Sequence, residues 1–345
     1  MKSSGTEHPV RKETMAKTQT QEKFKTTIGG QALIEGIMMR GPEKDAIVIR
    51  QGEQLNIDVR PRKLVPKKSV LNWPILRGIR GFFDSQVTGV KALMHSADIV
   101  SDEDTQEEPS KLDIWLEKKL GNEKFQQLII GFAVFMGLAM SIGLFILLPS
   151  FLVGLVAGYI DSNLLRALLE GLIRIAIFMG YMILVSRMKE MRRVFAYHGA
   201  EHKTIRCYEA GLPLTVENVR KMTRLHPRCG TSFLLVVMIL SILVFAVASS
   251  VLQALVPAIE ELRGQFSYNL IMMAFKLLLL PLVVGISFEI NRFVGRHDNW
   301  FTKIITAPGM WFQNFTTNEP DDSMIEVGIA AVEAVLPEKE GEDLW

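Results

Sequence analysis

The chain of 345 residues is 48% apolar, has a mean hydropathy of +0.21 and carries a net charge of only +2. Its apolar residues are concentrated, since residues 125–160 and 229–259 contain no charged side chain. A helix needs about 20 apolar residues to cross a bilayer core, so both runs are long enough. The composition therefore excludes an ordinary soluble enzyme and predicts an integral membrane protein. The two cysteines are too few for a disulfide framework.

The first part of the chain is predicted to be a polar tail followed by a small α+β region. Residues 1–27 are polar and lack the apolar core of a signal peptide, which predicts a disordered tail. The α+β region spans residues 28–110. In it, alternation over residues 46–60 predicts a β-hairpin, and helical spacing over residues 74–100 predicts an amphipathic helix at the membrane. An acidic linker over residues 101–110 ends the region.

Four transmembrane helices are predicted in the rest of the chain. Residues 111–187 contain a helical lead-in and two spans, and residues 231–292 contain two more; the spans are placed at about 126–148, 164–186, 231–256 and 268–290. The uncharged run 125–160 would be about 54 Å long as one helix, so a break is expected at Pro149. The predicted fold class is mainly α: a polytopic α-helical membrane protein with about four spans.

Charges in the connections predict the orientation of the spans. The connection 187–230 holds ten basic and four acidic residues, whereas 149–165 carries only Asp161. Lys and Arg accumulate on the cytoplasmic side of membrane proteins. We therefore expect the α+β region, the connection and both termini to be cytoplasmic, including a carboxyl-terminal region (293–345) that contains an amphipathic helix over residues 318–336.

A metal-binding pattern lies in residues 188–230, which this topology makes a cytoplasmic His/Cys loop. His198 and His202 are four positions apart and would share one face of a helix. HPRCG follows at residues 226–230, and imidazole with thiolate at short spacings is the ligand set that zinc prefers. The prediction is a site for Zn²⁺ or another divalent metal, with the candidate ligands His198, His202, His226 and Cys229.

Two geometries of this site remain open. Four ligands would close a tetrahedral structural site, whereas three ligands and a water would leave Glu201 to act as a general base. HGAEH also matches the H-x-x-E-H signature of inverted zinc proteases, for which Glu289 is the candidate distant ligand. Without a metal, the histidines would contact headgroups and neighbouring loops, and the cysteines would be small buried apolar side chains.

Other charged residues are further candidates. Glu35 is a candidate catalytic acid or base, or a metal ligand, if its segment folds against the loop 198–229; otherwise it is a salt-bridge partner of Arg40 in a tight turn. Charges within spans are expensive, so Glu170, Arg174 and Lys276 indicate either transport or lipid handling, or an internal ion pair between spans two and four.

Nucleic acid is not an expected partner. The basic residues of the segment 214–230 have no interleaved aromatic side chains on which bases could stack. They are expected to face anionic lipid instead.

Four long motifs suggest a family. GGQALIEGIMMRGP, YHGAEHKTIRCYEAG, LTVENVRKMTRLHPRCGTSF and TTNEPDD together resemble the YqhQ-like family of uncharacterised bacterial membrane proteins, over residues 28–336. Members of that family are labelled predicted metal-dependent enzymes. The resemblance implies a bacterial inner membrane as the location. The matching motifs include the four candidate ligands and the candidate base: His198, His202, His226, Cys229 and Glu201.

The functional hypothesis is a metal-dependent hydrolase that acts at the inner leaflet on a small molecule, a lipid or a peptide. One alternative is a non-enzymatic scaffold or regulator with a structural metal site. The other is a small transporter or lipid-handling protein, for which four spans would be few unless the chain forms a homo-oligomer.

Overall fold

The computed structural model describes residues 23–62, 64–66, 68–104, 122–156, 159–160, 162–262, 265–339 and 341–344. Most of the predicted polar tail, the end of the acidic linker and the start of the helical lead-in lie outside these residues.

A four-stranded antiparallel sheet forms the amino-terminal region, with its strands in chain order. The strands are β1 (Gly29–Leu33), β2 (Gly36–Arg40), β3 (Lys44–Gln51) and β4 (Gln54–Pro61). The predicted hairpin over residues 46–60 is confirmed by β3 and β4, which turn at Gly52 with the positive φ of 56° that glycine adopts readily. The hairpin of β1 and β2 was not expected from the sequence.

Helices cover both faces of the sheet. The described helices are α1 (Leu76–Asp104), α2 (Asn122–Ile142), α3 (Leu148–Val156), α4 (Asn163–Val185), α5 (Lys189–Glu209), α6 (Val216–Arg220), α7 (Gly230–Leu255), α8 (Ala258–Glu261), α9 (Phe266–Arg296), α10 (Trp300–Thr316) and α11 (Asp322–Glu333). On one face Ile37 and Val48 pack against α5 and α11, and on the other Met38 and Ile47 pack against α1 through Ala92. Burial of both faces explains why β2 and β3 carry continuous apolar runs.

Four helical segments are long and apolar enough to cross a membrane. They cover Gly131–Val156, Leu164–Val185, Gly230–Leu255 and Leu270–Arg296. The prediction of a mainly helical protein with four spans and a small amino-terminal sheet is therefore confirmed. The sidedness of the membrane stays a prediction.

The predicted break of the first span at Pro149 is wrong. The helical path continues through a π-helical turn (Gly143–Leu147) into α3, where Pro149 lies in the first turn. Proline has no N–H for the carbonyl four residues earlier, which belongs to Phe145. Arg174 of α4 supplies the missing donor, with its Nε 2.8 Å from that carbonyl oxygen. The neighbouring span thus allows the proline to be accommodated without a break.

Two predicted boundaries also change. The predicted His/Cys loop of residues 188–230 is largely helical, because α5 buries one side against the sheet and α11. Residues 23–27, assigned to the disordered tail, are ordered: the Thr26 side chain is buried and its Oγ1 lies 2.6 Å from Oδ2 of Asp343. These contacts join distant parts of the chain, so the local polarity of the tail could not indicate them.

Candidate metal centre

Three of the four predicted ligands converge between α5 and the start of α7. His198 and His202 lie one helical turn apart on α5, and Cys229 directly precedes Gly230, the first residue of α7. One ligand atom from each residue lies within 4.8 Å of the other two. Nε2 of His198 is 3.2 Å from Sγ of Cys229. The structure therefore contains a His/His/Cys group that could hold a metal ion.

Backbone carbonyls orient both imidazoles of the group. Nδ1 of His198 lies 2.8 Å from the carbonyl oxygen of Thr316, and Nδ1 of His202 lies 2.6 Å from that of Arg224. A carbonyl oxygen only accepts, so each Nδ1 carries the proton. Each Nε2 is then the nitrogen available to a metal, and this outer hydrogen bonding is typical of histidines that bind metals.

The surroundings of Cys229 favour the thiolate form of its side chain. Its side chain caps the amino end of α7, where Sγ accepts from the N–H of Thr231 at 3.4 Å and the helix dipole favours negative charge. Burial raises the pKa of the thiol, but interactions with His202 and His198 outweigh burial and hold that pKa well below its ordinary value. The thiolate is the form of cysteine that binds metals.

His198 carries the matching positive charge. Burial lowers its pKa, yet the nearby Cys229 and Glu201 reverse this effect and raise the pKa to about 9. Without a metal, His198 and Cys229 therefore form an imidazolium–thiolate pair, with Nε2 of His198 3.2 Å from Sγ of Cys229. A divalent cation would replace the imidazolium proton.

Glu201 lies beside the His/His/Cys group and outside it. Its Oε1 accepts the backbone N–H of Gly30 at 2.9 Å, whereas its buried Oε2 has no hydrogen-bond partner among the described residues. Burial raises the pKa of this carboxyl group. Gly30 allows the approach, because a Cβ at this position would lie 3.1 Å from Cδ of Glu201 and 2.6 Å from the carbonyl oxygen of Met38.

The structure does not bring His226 into the group. Its Nε2 lies 3.2 Å from Oε2 of Glu209, and its backbone N–H and carbonyl each bond the side-chain amide of Gln313 at 2.7 Å. Burial and then the nearby Arg228 lower the pKa of His226 well below its ordinary value, so the imidazole is neutral. In this arrangement His226 anchors the loop that carries Cys229.

Glu209 and Arg228 support the site and were missed by the sequence reasoning. Glu209 is fully buried and accepts from Arg228 and from the backbone N–H of Thr26 at 2.9 Å. Burial raises the pKa of Glu209, and Arg228 acts in the opposite direction. Helical periodicity could have indicated Glu209, because it lies seven positions after His202 and so on the same face of α5.

Glu35 lies in a separate cluster. It occupies the turn between β1 and β2 with a φ of 51°, pairs with Arg193 through both carboxylate oxygens and accepts from the Tyr197 hydroxyl at 3.1 Å. The expected alternative partner, Arg40, instead pairs with Asp45 at 3.1 Å. The structure therefore associates Glu35 with α5 but not with the His/His/Cys group.

The remaining charged candidates are also away from the group. Glu289 pairs with Arg77 of α1, so it does not supply the distant ligand of the protease pattern. Oε1 of Glu170 receives Arg174 at 2.7 Å and Lys276 at 3.1 Å, which confirms the predicted ion pair between spans two and four.

Four membrane-length helices and a His/His/Cys group, in which His202 and Cys229 are buried, define a membrane protein with a candidate metal centre. The chain belongs to the family described as protein of unknown function (DUF1385), whose model matches residues 73–338. It is 33% identical over 324 residues to the uncharacterized protein YqhQ of Bacillus subtilis (strain 168). The aligned residues cover 92% of this chain and 94% of that relative. The resemblance drawn from the motifs is thus confirmed. No solved structure matches the chain.

Proposed function

We propose that this protein is a membrane-bound, metal-dependent hydrolase whose metal is held by His198, His202 and Cys229. The observation that carries the proposal is the convergence of the three ligand atoms within 4.8 Å. The ligand set of two imidazoles and a thiolate favours zinc. Three protein ligands with one position left for water is the arrangement of catalytic zinc sites, whereas structural sites use four.

The residues around the group fit a hydrolytic role. A divalent metal would supply Lewis-acid activation of a water molecule. Glu201 would take a proton from that water, since Oε2 is buried without a hydrogen-bond partner in the described part of the chain while Gly30 fixes Oε1 at 2.9 Å. Burial raises the pKa of Glu201 towards neutral pH. A general base is most effective when its pKa lies near the working pH.

The position of the group suggests where the substrate would be. Cys229 immediately precedes α7, so the ligands lie at the end of a span and near the membrane surface. The excess of Lys and Arg in residues 187–230 favours the cytoplasmic side and hence the inner leaflet. A lipid headgroup, a peptide or a small molecule at that surface is the proposed substrate class.

A structural metal site in a scaffold protein is the second candidate. It is favoured by the burial of the group, since His202 is 1% exposed and Cys229 is 8% exposed. In that case no water would be bound and Glu201 would be a packing residue.

The coordination of Co²⁺ by the full-length protein separates these candidates. We expect a tetrahedral cobalt spectrum with a thiolate band, which is lost in His198→Gln, His202→Gln and Cys229→Ser. If a coordination position is open, azide will shift the spectrum of the wild type. Glu201→Gln should keep the metal and the azide response but abolish the ability of the gene to restore a deletion phenotype.

The controls use residues outside the group. Cys207→Ser removes the other cysteine, which is buried elsewhere, and should leave the cobalt spectrum unchanged. A spectrum that azide cannot shift, with full complementation by Glu201→Gln, would establish the structural site instead. Absence of bound metal in the folded wild type would eliminate both candidates.

A further inference from the structure

Helix α10 exposes its apolar face instead of burying it. Trp300, Ile304 and Trp311 are 74%, 61% and 57% exposed. They are separated by four and seven positions, so they share one face of the helix. The buried residues of α10 are Thr302, Gly309, Phe312, Gln313 and Thr316. Most of these are not apolar, whereas a helix of a soluble protein places its apolar stripe against the core. The exposed face therefore indicates a partner other than the described part of the chain.

The contacts of α10 place it at the level of the spans and not beyond their ends. Phe312 packs against Phe178 of α4 and Leu235 of α7, and the ring centroids of the two phenylalanines are 5.5 Å apart. Phe178 lies seven positions before Val185, and Leu235 lies five positions after Gly230, which are the ends of those spans. These contacts are therefore about 10 Å and about 8 Å along the spans from their ends. A helix in the plane of a membrane interface lies about 5–10 Å deep, so the two depths agree.

The length and composition of α10 fit a helix that lies in the membrane plane. Its 17 residues are about 26 Å long, which is less than the hydrocarbon thickness of about 30 Å. Lys303 is the one charged residue of the helix, and it pairs with Asp298 at 3.6 Å. Indole rings favour the boundary between headgroups and acyl chains, because the ring is apolar and its N–H is polar. The two tryptophans of α10 both lie on its exposed face.

We propose that α10 is an interfacial helix, whose exposed face is inserted into the acyl chains of the leaflet nearest the His/His/Cys group. The partner of this face is bilayer lipid. Exposed apolar surface marks membrane or protein interaction sites, and the depth of α10 favours the membrane. The apolar exterior of the spans also reaches the same level, since Leu234 of α7 and Tyr181 of α4 are exposed close to the contacts of Phe312.

The inserted helix also holds the candidate metal centre. The carbonyl oxygen of Thr316, at the end of α10, lies 2.8 Å from Nδ1 of His198. The side-chain amide of Gln313 bonds the backbone of His226 at 2.7 Å. Insertion of α10 therefore fixes the His/His/Cys group at the surface of that leaflet. The proposal concerns this surface and does not rest on the proposed hydrolytic function.

A fluorescent label on the exposed face of α10 tests this proposal in the full-length protein, reconstituted in phosphatidylcholine vesicles. The label is nitrobenzoxadiazole on Ile304→Cys or, separately, on Ala307→Cys, which lies on the same exposed face. We expect blue-shifted emission, loss of emission with lipid that carries a nitroxide on its acyl chain, and no loss with aqueous iodide. A nitroxide near the headgroup end of the chain should quench more than one at its far end, because an interfacial helix is shallow.

Two controls accompany the labelled variants. The native thiols of Cys207 and Cys229 are buried, so the labelled wild type measures the background. Glu333→Cys carries the same label on the exposed side of α11, a helix that packs against the sheet and α5. Its emission should be quenched by iodide and not by the nitroxide lipid.

The outcomes are distinct, and either labelled position of α10 is sufficient alone if the other variant fails to fold. Quenching by iodide, with none by the nitroxide lipid, would show that the face lies in water and would overturn the proposal. Blue-shifted emission that neither quencher reduces would show that protein covers the face. If that emission shifts to the red when the protein is diluted in lipid, the cover is a second copy of the chain, which would also overturn the proposal.

Discussion

The backbone N–H of Gly30 donates to the carboxylate of Glu201 at 2.9 Å and so joins strand β1 to helix α5 across 171 positions of the chain. This bond satisfies one carboxylate oxygen, whereas the other, Oε2, is buried without a hydrogen-bond partner among the described residues. A carboxylate is usually buried with its oxygens satisfied. The proposed role of Glu201 as a general base would use this oxygen.

Replacing Gly30 with alanine should displace Glu201. The new Cβ would lie 2.6 Å from the Met38 carbonyl oxygen and 3.1 Å from Cδ of Glu201, so strand or side chain must move. We expect a loss of about 1–3 kcal/mol in the free energy of unfolding, and loss of complementation with the cobalt spectrum retained. Gly29→Ala is the matched control, because nothing lies within 4 Å of its Cβ. Equal effects of the two substitutions would contradict this role of Gly30.

His226→Gln should keep the bound metal. Glutamine can still donate to Glu209, which His226 contacts at 3.2 Å, so the loop that carries Cys229 should keep its position. His202→Gln should lose the metal, because it removes a member of the convergent group. Metal content per folded protein is the measurement. If His226→Gln folds but binds no metal, then His226 is a ligand, as the sequence pattern allowed.

Metal binding should release about one proton at pH 7, and the proton should come from His198. The pKa of His198 is raised to about 9, whereas the pKa of Cys229 is held well below its ordinary value, so the imidazole and not the thiol carries the proton to be displaced. The contribution of His198 to this release should therefore fall towards zero as the pH rises through 9. Titration calorimetry in buffers of different ionisation enthalpy measures it. No proton release at pH 7 would show that the imidazolium–thiolate pair does not exist.

Gly199→Ala should destabilise the protein, although alanine normally favours helices. The carbonyl oxygen of Asn318 packs against Gly199 where a Cβ would be, and the N–H of Asn318 bonds the carbonyl of Phe195 at 2.7 Å. We expect a loss of about 1–3 kcal/mol in thermal or denaturant unfolding, as in overpacked cores. Gly180→Ala has open space around its Cβ and should be neutral or stabilising by up to about 1 kcal/mol. A neutral Gly199→Ala would contradict the close contact.

Pro149 and Arg174 should be energetically coupled. The Nε–H of Arg174 replaces the backbone N–H that Pro149 cannot offer to the Phe145 carbonyl. Alanine has this N–H, so in Pro149→Ala the hydrogen bond from Arg174 should no longer be needed. In a double-mutant cycle of Pro149→Ala and Arg174→Met, we expect a coupling energy of about 1–2 kcal/mol. Unfolding in mixed micelles provides the measurement. Additive effects would mean that Arg174 contributes only through its ion pair with Glu170.

Local patterns predicted some parts of the candidate site and not others. The spacing of His198 and His202 was sufficient to place them on one helical face, because the period of a helix is a local property. The choice between His226 and Cys229 was not local, since both lie in the same short loop. It depends on Glu209, which binds His226, and on the start of α7, which presents the Cys229 thiolate.

The sequence by itself determined the membrane class, the four spans and the His/Cys candidates. Long uncharged runs have few alternatives to transmembrane helices, because backbone polar groups must be satisfied within the bilayer. The tertiary structure decided which candidate ligands converge, how Gly30 reaches Glu201, and that Arg174 lets the first span continue past Pro149. These are contacts between segments far apart in the chain, and they depend on how sheet and helices dock, which no local periodicity encodes.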